Sequence, residues 1–252
     1  MKRKPSANRS PSEAPSPAKA NELLAALPAE VLQRLSPALE RVPLALKEIL
    51  HRPGDPIEYV YFPGAGFVSE LTVLESGDMV EVATIGREGM VGIFASDGEE
   101  RAPSLSMVQA AIDVCYRLRA TVFREEMDRR GAFHQLMTRY MHAHVGLIMQ
   151  STACNAMHSV EQRLARWLLM AHDRVGVDDF PLTQEFLAMM LGVSRPSVTI
   201  VAGTLQKAGL ITYHRGHLRI VDRERLEAAS CECFRVVKKL FTSVGQPPPR
   251  RK

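Results

Sequence analysis

The stretch Phe180 to Val221, FPLTQEFLAMMLGVSRPSVTIVAGTLQKAGLITYHRGHLRIV, reads as two short helices, a glycine turn, a longer helix and a β-hairpin. Thr183 can cap the first helix through its hydroxyl, and Glu185 suits the positive end of the helix dipole. That helix is expected to run to about Leu191, where Gly192 supplies the left-handed residue that stops it and Ser194 caps the next one. Pro196 falls in the first turn of the second helix, where its missing N–H costs nothing, and Gly209 ends it, so the bounds are roughly Arg195 and Ala208. Val198, Val201, Ala202 and Leu205 recur at helical spacing and face inward. Arg195, Pro196, Ser197, Thr199, Ile200 and Gly203 are left outward or partly so, a small face that a groove could admit. LITYHRGHLRIV then alternates apolar and polar residues around Arg215 and Gly216 and reads as a two-stranded wing carrying His214, Arg215, His217 and Arg219. The outline is a winged helix-turn-helix.

The 252 residues have room for two ordinary domains, and 46% hydrophobic residues suffice for a core in each. From Ser159 onward 15 Lys and Arg face 9 Asp and Glu, whereas residues 21–158 hold 12 against 18. A basic C-terminal domain with a groove-sized helix is the footprint of a protein that neutralises phosphates, and the acidic middle has another job. No apolar run is long enough to span a bilayer and the N-terminus lacks the apolar segment of a secretion signal, so a cytoplasmic location without membrane contact is expected. Cys115, Cys154, Cys231 and Cys233 show neither CxxC pairs nor zinc-finger spacing, which predicts free thiols, no metal and no cofactor.

Residues 1–20 are rich in Pro, Ser and basic side chains and are expected to form a disordered arm. Glu22 to Leu39 predicts one or two short helices. From Ala45 to Leu118 short alternating runs (YVYF, FVSELTVL, MVEVATI, SLSMVQA, DVCYRL) separated by turns, with the Pro-Gly-Asp of Arg52 to Pro56 and Ser76-Gly77-Asp78 favouring hairpins, suggest a β-sandwich or roll. Residues 119–158 return to helical spacing. There Phe133, Met137, Tyr140, His144, Leu147, Ser151 and Cys154 alternate by four and three, the order of a coiled-coil seam, which predicts self-association. A helix follows over Val160 to Val175, another over Arg223 to Val244, and a basic tail closes the chain.

Roll, long helix and winged motif in this order resemble the bacterial cyclic-AMP receptor and fumarate-nitrate-reduction regulator (Crp/Fnr) family. The likeness covers about residues 21–235 and is carried best by YVYFPGAG, GREGMVG and LGVSRPSVTIVAGTLQKAGLI. It implies an α+β chain: a cyclic-nucleotide-binding-like jelly roll over 21–130, a dimerisation helix over 131–158, a winged helix-turn-helix over 159–235, and a helix end and basic tail over 236–252. It further implies a homodimer that places its second motif helix in the major groove of a palindromic double-stranded operator, with RNA polymerase as a further partner. The contact set expected on DNA is Thr183, Gln184, Ser194, Arg195, Pro196, Ser197, Thr199, Ile200, His214, Arg215 and His217.

The departures from that family bear on the signal. Gly89, Met90, Val91, Gly92, Ile93 and Ser104 occupy the effector-pocket positions, but Ile93 stands where cyclic-nucleotide members place a glutamate for the ribose. Arg101 comes early and is followed by Ala102, so a cyclic phosphate would lose its charge-assisted bonds, and cyclic AMP is not expected to bind. The effector is left open. No cysteine precedes Cys115, which argues against an oxygen-sensing cluster. The competing reading, a cupin-like metal enzyme with an appended DNA-binding domain, needs histidines on the roll strands. None lies between His51 and His134, so a regulator rather than an enzyme is expected.

Overall fold

A computed structural model describes residues 15–96, 101–214 and 216–246. Of the arm expected to be disordered, residues 1–14 lie outside the described part, but residues 15–20 are ordered. They include a short helix, α1 (Pro17–Ala20), and Pro15 accepts a hydrogen bond from the Tyr116 hydroxyl at 2.9 Å. Asn21 is the reason the chain docks here. Its Oδ1 accepts from the backbone of Leu23 and Leu24 to cap α2 (Glu22–Ala25), while its Nδ2 donates to Pro63 O at 3.0 Å and Gly89 O at 2.8 Å. Together with α3 (Ala29–Leu35) this segment buries Leu23, Leu24, Leu27, Val31 and Leu35 against the body that follows.

That body is an antiparallel roll of β1 (Glu40–Leu44), β2 (Ile49–His51), β3 (Tyr59–Pro63), β4 (Phe67–Val73), β5 (Met79–Ile85), β6 (Leu105–Ala110) and β7 (Ile112–Arg119). The strands form two sheets, ordered β1-β7-β3 and β2-β6-β4-β5. Five strands follow the alternation of the sequence. β1 and β2 do not announce themselves, because β1 is an edge strand interrupted by Pro43 at a register shift and β2 has three residues. The Pro-Gly-Asp within Arg52 to Pro56 makes the turn that its residues favour, with Gly54 at a φ of 82°.

The helical stretch after the roll breaks at Arg130, whose φ is 52°, into α4 (Ala120–Asp128) and α5 (Ala132–Met157). A capping box of Ser159 and Gln162 starts α6 (Val160–Val175), and Gly176 ends it in the left-handed conformation. β8 (Asp179–Pro181), α7 (Gln184–Leu191), α8 (Arg195–Lys207), β9 (Ile211–His214) and β10 (His217–Ile220) make up the winged motif. The single helix expected over Arg223 to Val244 is two, α9 (Arg223–Ala229) and α10 (Cys233–Thr242).

The two halves share a core in which Phe67, Leu71 and Leu105 of the roll join Leu164, Trp167 and Leu168 of α6 and Leu187, Val198 and Leu205 of the motif. Polar groups fix the register of this junction. Arg174 donates to Glu88 Oε1 from Nε and Nη2 at 2.9 and 2.6 Å and to Thr84 O at 3.2 Å. Trp167 Nε1 donates to Glu81 Oε1 at 2.8 Å, and the other Glu81 oxygen is bonded to the Ser69 hydroxyl.

Burial pushes the Glu81 carboxyl from its ordinary 4.5 up to about 7, against the opposing pull of Ser69, Trp167 and nearby Arg166. Between pH 4.5 and about 7 the unfolded chain has lost this proton and the folded one keeps it, so stability present at the low end is lost as pH rises through about 7. Glu81→Gln mimics the protonated acid throughout. The variant is expected to gain on the wild type across that window, by on the order of 3 kcal/mol in full, in urea melts at stepped pH. Parallel stability curves for the two proteins would contradict the assignment.

Candidate nucleic-acid interface

The local chemistry of the motif is what the sequence calls for. The Thr183 hydroxyl accepts from Phe186 N, Gly192 stands at φ 61° and ψ 42°, Ser194 accepts from Ser197 N, and Gly209 has a φ of 75°. The chain bends by 105° between α7 and α8, within the range of helix-turn-helix pairs. Val198, Ala202 and Leu205 turn to the core and Val201 is half-buried.

The opposite face of α8 is open. Arg195, Pro196 and Thr199 are exposed and Ile200 is 70% exposed, while Ser197 is half-buried with its hydroxyl 2.9 Å from that of Ser194, itself exposed. Thr183 is exposed; Gln184 is half-buried and accepts from the Thr199 hydroxyl at 2.8 Å, tying the start of α7 to the middle of α8. The wing stands beside them with His214, His217 and Arg219 exposed, and Arg215 lies outside the described residues. β8, unforeseen in the sequence, pairs with β10 and makes the wing three-stranded, and His217 Nδ1 lies 3.3 Å from Asp179 Oδ1 on it. The Tyr213 hydroxyl donates to Leu182 O at 2.8 Å, holding the wing against the start of the motif.

Arg163, missed in the sequence because nothing local marks it, is 8% exposed and donates through Nη2 to Leu191 O at the end of α7. It satisfies one of the carbonyls that a helix terminus leaves free and fixes the motif to α6.

The other expected site residues are buried. Met90, Val91 and Ile93 sit in the roll core, and Gly89, Gly92 and Ser104 are buried as well. A Cβ on Gly89 would lie 2.8 Å from the Tyr140 ring and one on Gly92 3.0 Å from His51, so side chains of this chain fill the space beside the loop. The stripe read as a seam between subunits also faces inward: Phe133, Met137, Tyr140, His144, Leu147, Ser151 and Cys154 are all buried within the single chain. The Tyr140 hydroxyl donates to Met90 O at 2.7 Å and His144 Nε2 lies 3.0 Å from Glu70 Oε2. Heptad spacing marks a buried stripe but does not say which surface buries it, and here that surface is the roll and α10.

A cleft of about 1100 Å³ separates the roll from the motif, lined on one side by Leu46, Leu74 and Met107 and on the other by Phe186, Met189 and Val193.

Residues 162–229 match the Crp-like helix-turn-helix domain. The C-terminal part of the chain is thus a Crp-like helix-turn-helix domain. The chain is 25% identical to the global nitrogen regulator of Synechococcus elongatus, over 68% of this chain and 80% of that one. Its fold is also that of FixK2 from Bradyrhizobium japonicum (TM-score 0.65, 14% identity, 77% of this chain and 98% of that one). A CRP-family transcriptional regulator from Thermus thermophilus superposes with a TM-score of 0.61 at 20% identity, over 75% and 96% of the two chains. Within this Crp-like domain, the turn glycine is where the motif meets the roll. A Cβ on Gly192 would lie 3.2 Å from Val80 Cγ2 on β5, in addition to the left-handed strain of an L-residue. Gly192→Ala is expected to cost roughly 1–2 kcal/mol, read as a lower thermal midpoint, and an unchanged midpoint would show that the turn relaxes freely.

Proposed function

We propose that the chain binds a palindromic double-stranded DNA operator as a homodimer and regulates transcription there, in contact with RNA polymerase, rather than acting as an enzyme. The observation that carries this reading is the open face at the start of α8, where Arg195, Pro196, Thr199 and Ile200 are exposed beside a wing bearing His214, His217 and Arg219. Arg195 is the long cation placed for a bidentate contact to a guanine edge, and Ile200 offers apolar contact to a thymine methyl. Thr183, Gln184, Ser194, Ser197 and the wing, Arg215 included, serve the phosphates and fix the register. Among the described residues no single helix is long and apolar enough to cross a membrane, and the reading needs none.

We assign residues 21–130 to a sensor roll, 131–158 to the pairing helix and 159–235 to the DNA-binding domain. The pairing face is the one that α5 leaves open. Thr138, His142, Val145, Met149, Thr152 and Ala156 again alternate by four and three, five of them are exposed, and Val145 and Met149 are 44% and 67% exposed. A second copy of the chain is the occupant that this spacing fits. The sensor is degenerate: the buried Ile93 offers no acceptor for a ribose, and the Tyr140 ring stands against Gly89. Cyclic AMP is accordingly not its signal.

Val145→Asp combined with Met149→Asp places charges at positions exposed in the single chain, so folding should be unchanged by circular dichroism. A charge buried at a seam costs several kcal/mol, and the variant is expected to run as a monomer in sedimentation and to bind operator weakly. A dimer mass for this variant would move the interface elsewhere.

Arg195→Ala is expected to cost roughly 1–3 kcal/mol on cognate DNA and to relax preference at one base pair per half-site. Arg219→Ala should weaken all duplexes alike and lower the salt slope by about one. Equal losses on cognate and random DNA for Arg195→Ala would remove its reading role.

A further inference from the structure

The spacing of the four cysteines gives no reason to expect a metal, and the fold overrides that. Cys154 and His158 lie one turn apart at the end of α5, and Cys231, in the break between α9 and α10, and Cys233, the first residue of α10, flank Glu232. Residues 77 positions apart thereby meet. The Sγ atoms of Cys154, Cys231 and Cys233 and one ring nitrogen of His158 all lie within 4.8 Å of one another. Cys154 Sγ is 3.5 Å from Cys231 Sγ, and Cys233 Sγ is 3.6 Å from His158 Nδ1.

We propose that Cys154, His158, Cys231 and Cys233 form a closed four-ligand site for a single thiophilic divalent cation of the zinc class. A tetrahedral ion with sulfur ligands at about 2.3 Å sets neighbouring ligand atoms about 3.5–3.8 Å apart, and the Cys154–Cys231 and Cys233–His158 separations fall there. An iron-sulfur cluster would hold its ligands further apart, since the cluster itself occupies the centre. The three thiols are buried and His158 is half-buried, which suits a site without an open position.

Three features outside the ligand set point the same way. The His158 ring turns Nδ1 to the cluster and Nε2 to Glu232 Oε2 at 3.3 Å, the carboxylate partner that fixes the tautomer of a metal-bound histidine. Gln150 Nε2 donates to Cys233 Sγ at 3.0 Å, as a thiolate would draw it. Arg163 and Arg166 are each 8% exposed, with Arg163 Nε and Arg166 Nε and Nη1 lacking partners, and both act electrostatically on the thiols. One divalent ion with three thiolates and a neutral imidazole carries a net charge of −1, the counter-charge that these buried guanidiniums otherwise lack. The ion would fasten α5 to α10 beside the same Arg163 that holds Leu191 at the end of α7.

The test uses the full chain, purified under reducing conditions and then stripped with a chelator. Titration with Co²⁺ alone should give the ligand-field and thiolate charge-transfer bands of a tetrahedral site, saturating at one ion per chain, and Zn²⁺ should bleach them. His158→Ala, Cys231→Ser and Cys233→Ser should lose these bands, whereas Cys115→Ser, in the roll core, should keep them. Because the titration is done on the wild-type chain, the proposal stands or falls even if a cysteine variant fails to fold. The absence of a tetrahedral cobalt spectrum from the reduced wild-type chain would overturn it. So would a Cys154–Cys231 disulfide in the isolated protein with no metal taken up after reduction.

Discussion

The burial of one stripe of α5 is the constraint on which the rest of the chain depends. Phe133, Met137, Tyr140 and Leu147 are almost without exposure, and the roll, the N-terminal helices and α10 all come to this helix to cover them. Such burial is worth roughly 1.5–3 kcal/mol for each large side chain, enough to decide the arrangement of the parts. Two polar members of the stripe are held by the roll. Tyr140 is held by Met90 O and His144 by Glu70, so the helix cannot slide along its groove without leaving buried groups unpaired.

From that fixed helix the chain passes through α6, which carries the contacts joining roll to motif. Trp167 reaches Glu81, Arg174 reaches Glu88 and Thr84, and Arg163 reaches Leu191. Gly192, at the turn of the motif, lies directly against Val80 of β5. The roll face formed by β5 and the turn that orients α8 are therefore in physical contact, with an open cleft beside them. A shift of β5 has a short mechanical route to α8, through packed atoms and charged hydrogen bonds rather than through a flexible linker.

The winged motif was legible because its signals are local. A hydroxyl two or three residues before free N–H groups caps a helix wherever it occurs, and a glycine at positive φ ends one, so Thr183, Gly192, Ser194, Pro196 and Gly209 act as read. The strands with clean alternation were legible for the same reason. β1, β2 and β8 were not, being short or interrupted and stabilised by neighbours distant in sequence, such as β7 for β1 and β10 for β8. The α9–α10 break was likewise invisible, since the helical propensity of the residues around it masks a turn that tertiary packing imposes.

The sequence by itself determined the element types, the helix caps, the buried stripe of α5 and the exposed cation at the head of α8, because each is set by residues within a few positions of one another. Only the tertiary structure decided what those elements face. It turned the heptad stripe toward the chain's own roll, left Val145 and Met149 outward, raised Glu81 by burial, and gathered Cys154, His158, Cys231 and Cys233 into one cluster. Periodicity fixes which side of a helix is apolar, but the partner of that side, and the company a titratable or ligating side chain keeps, follow from how distant segments compete to cover the same surface.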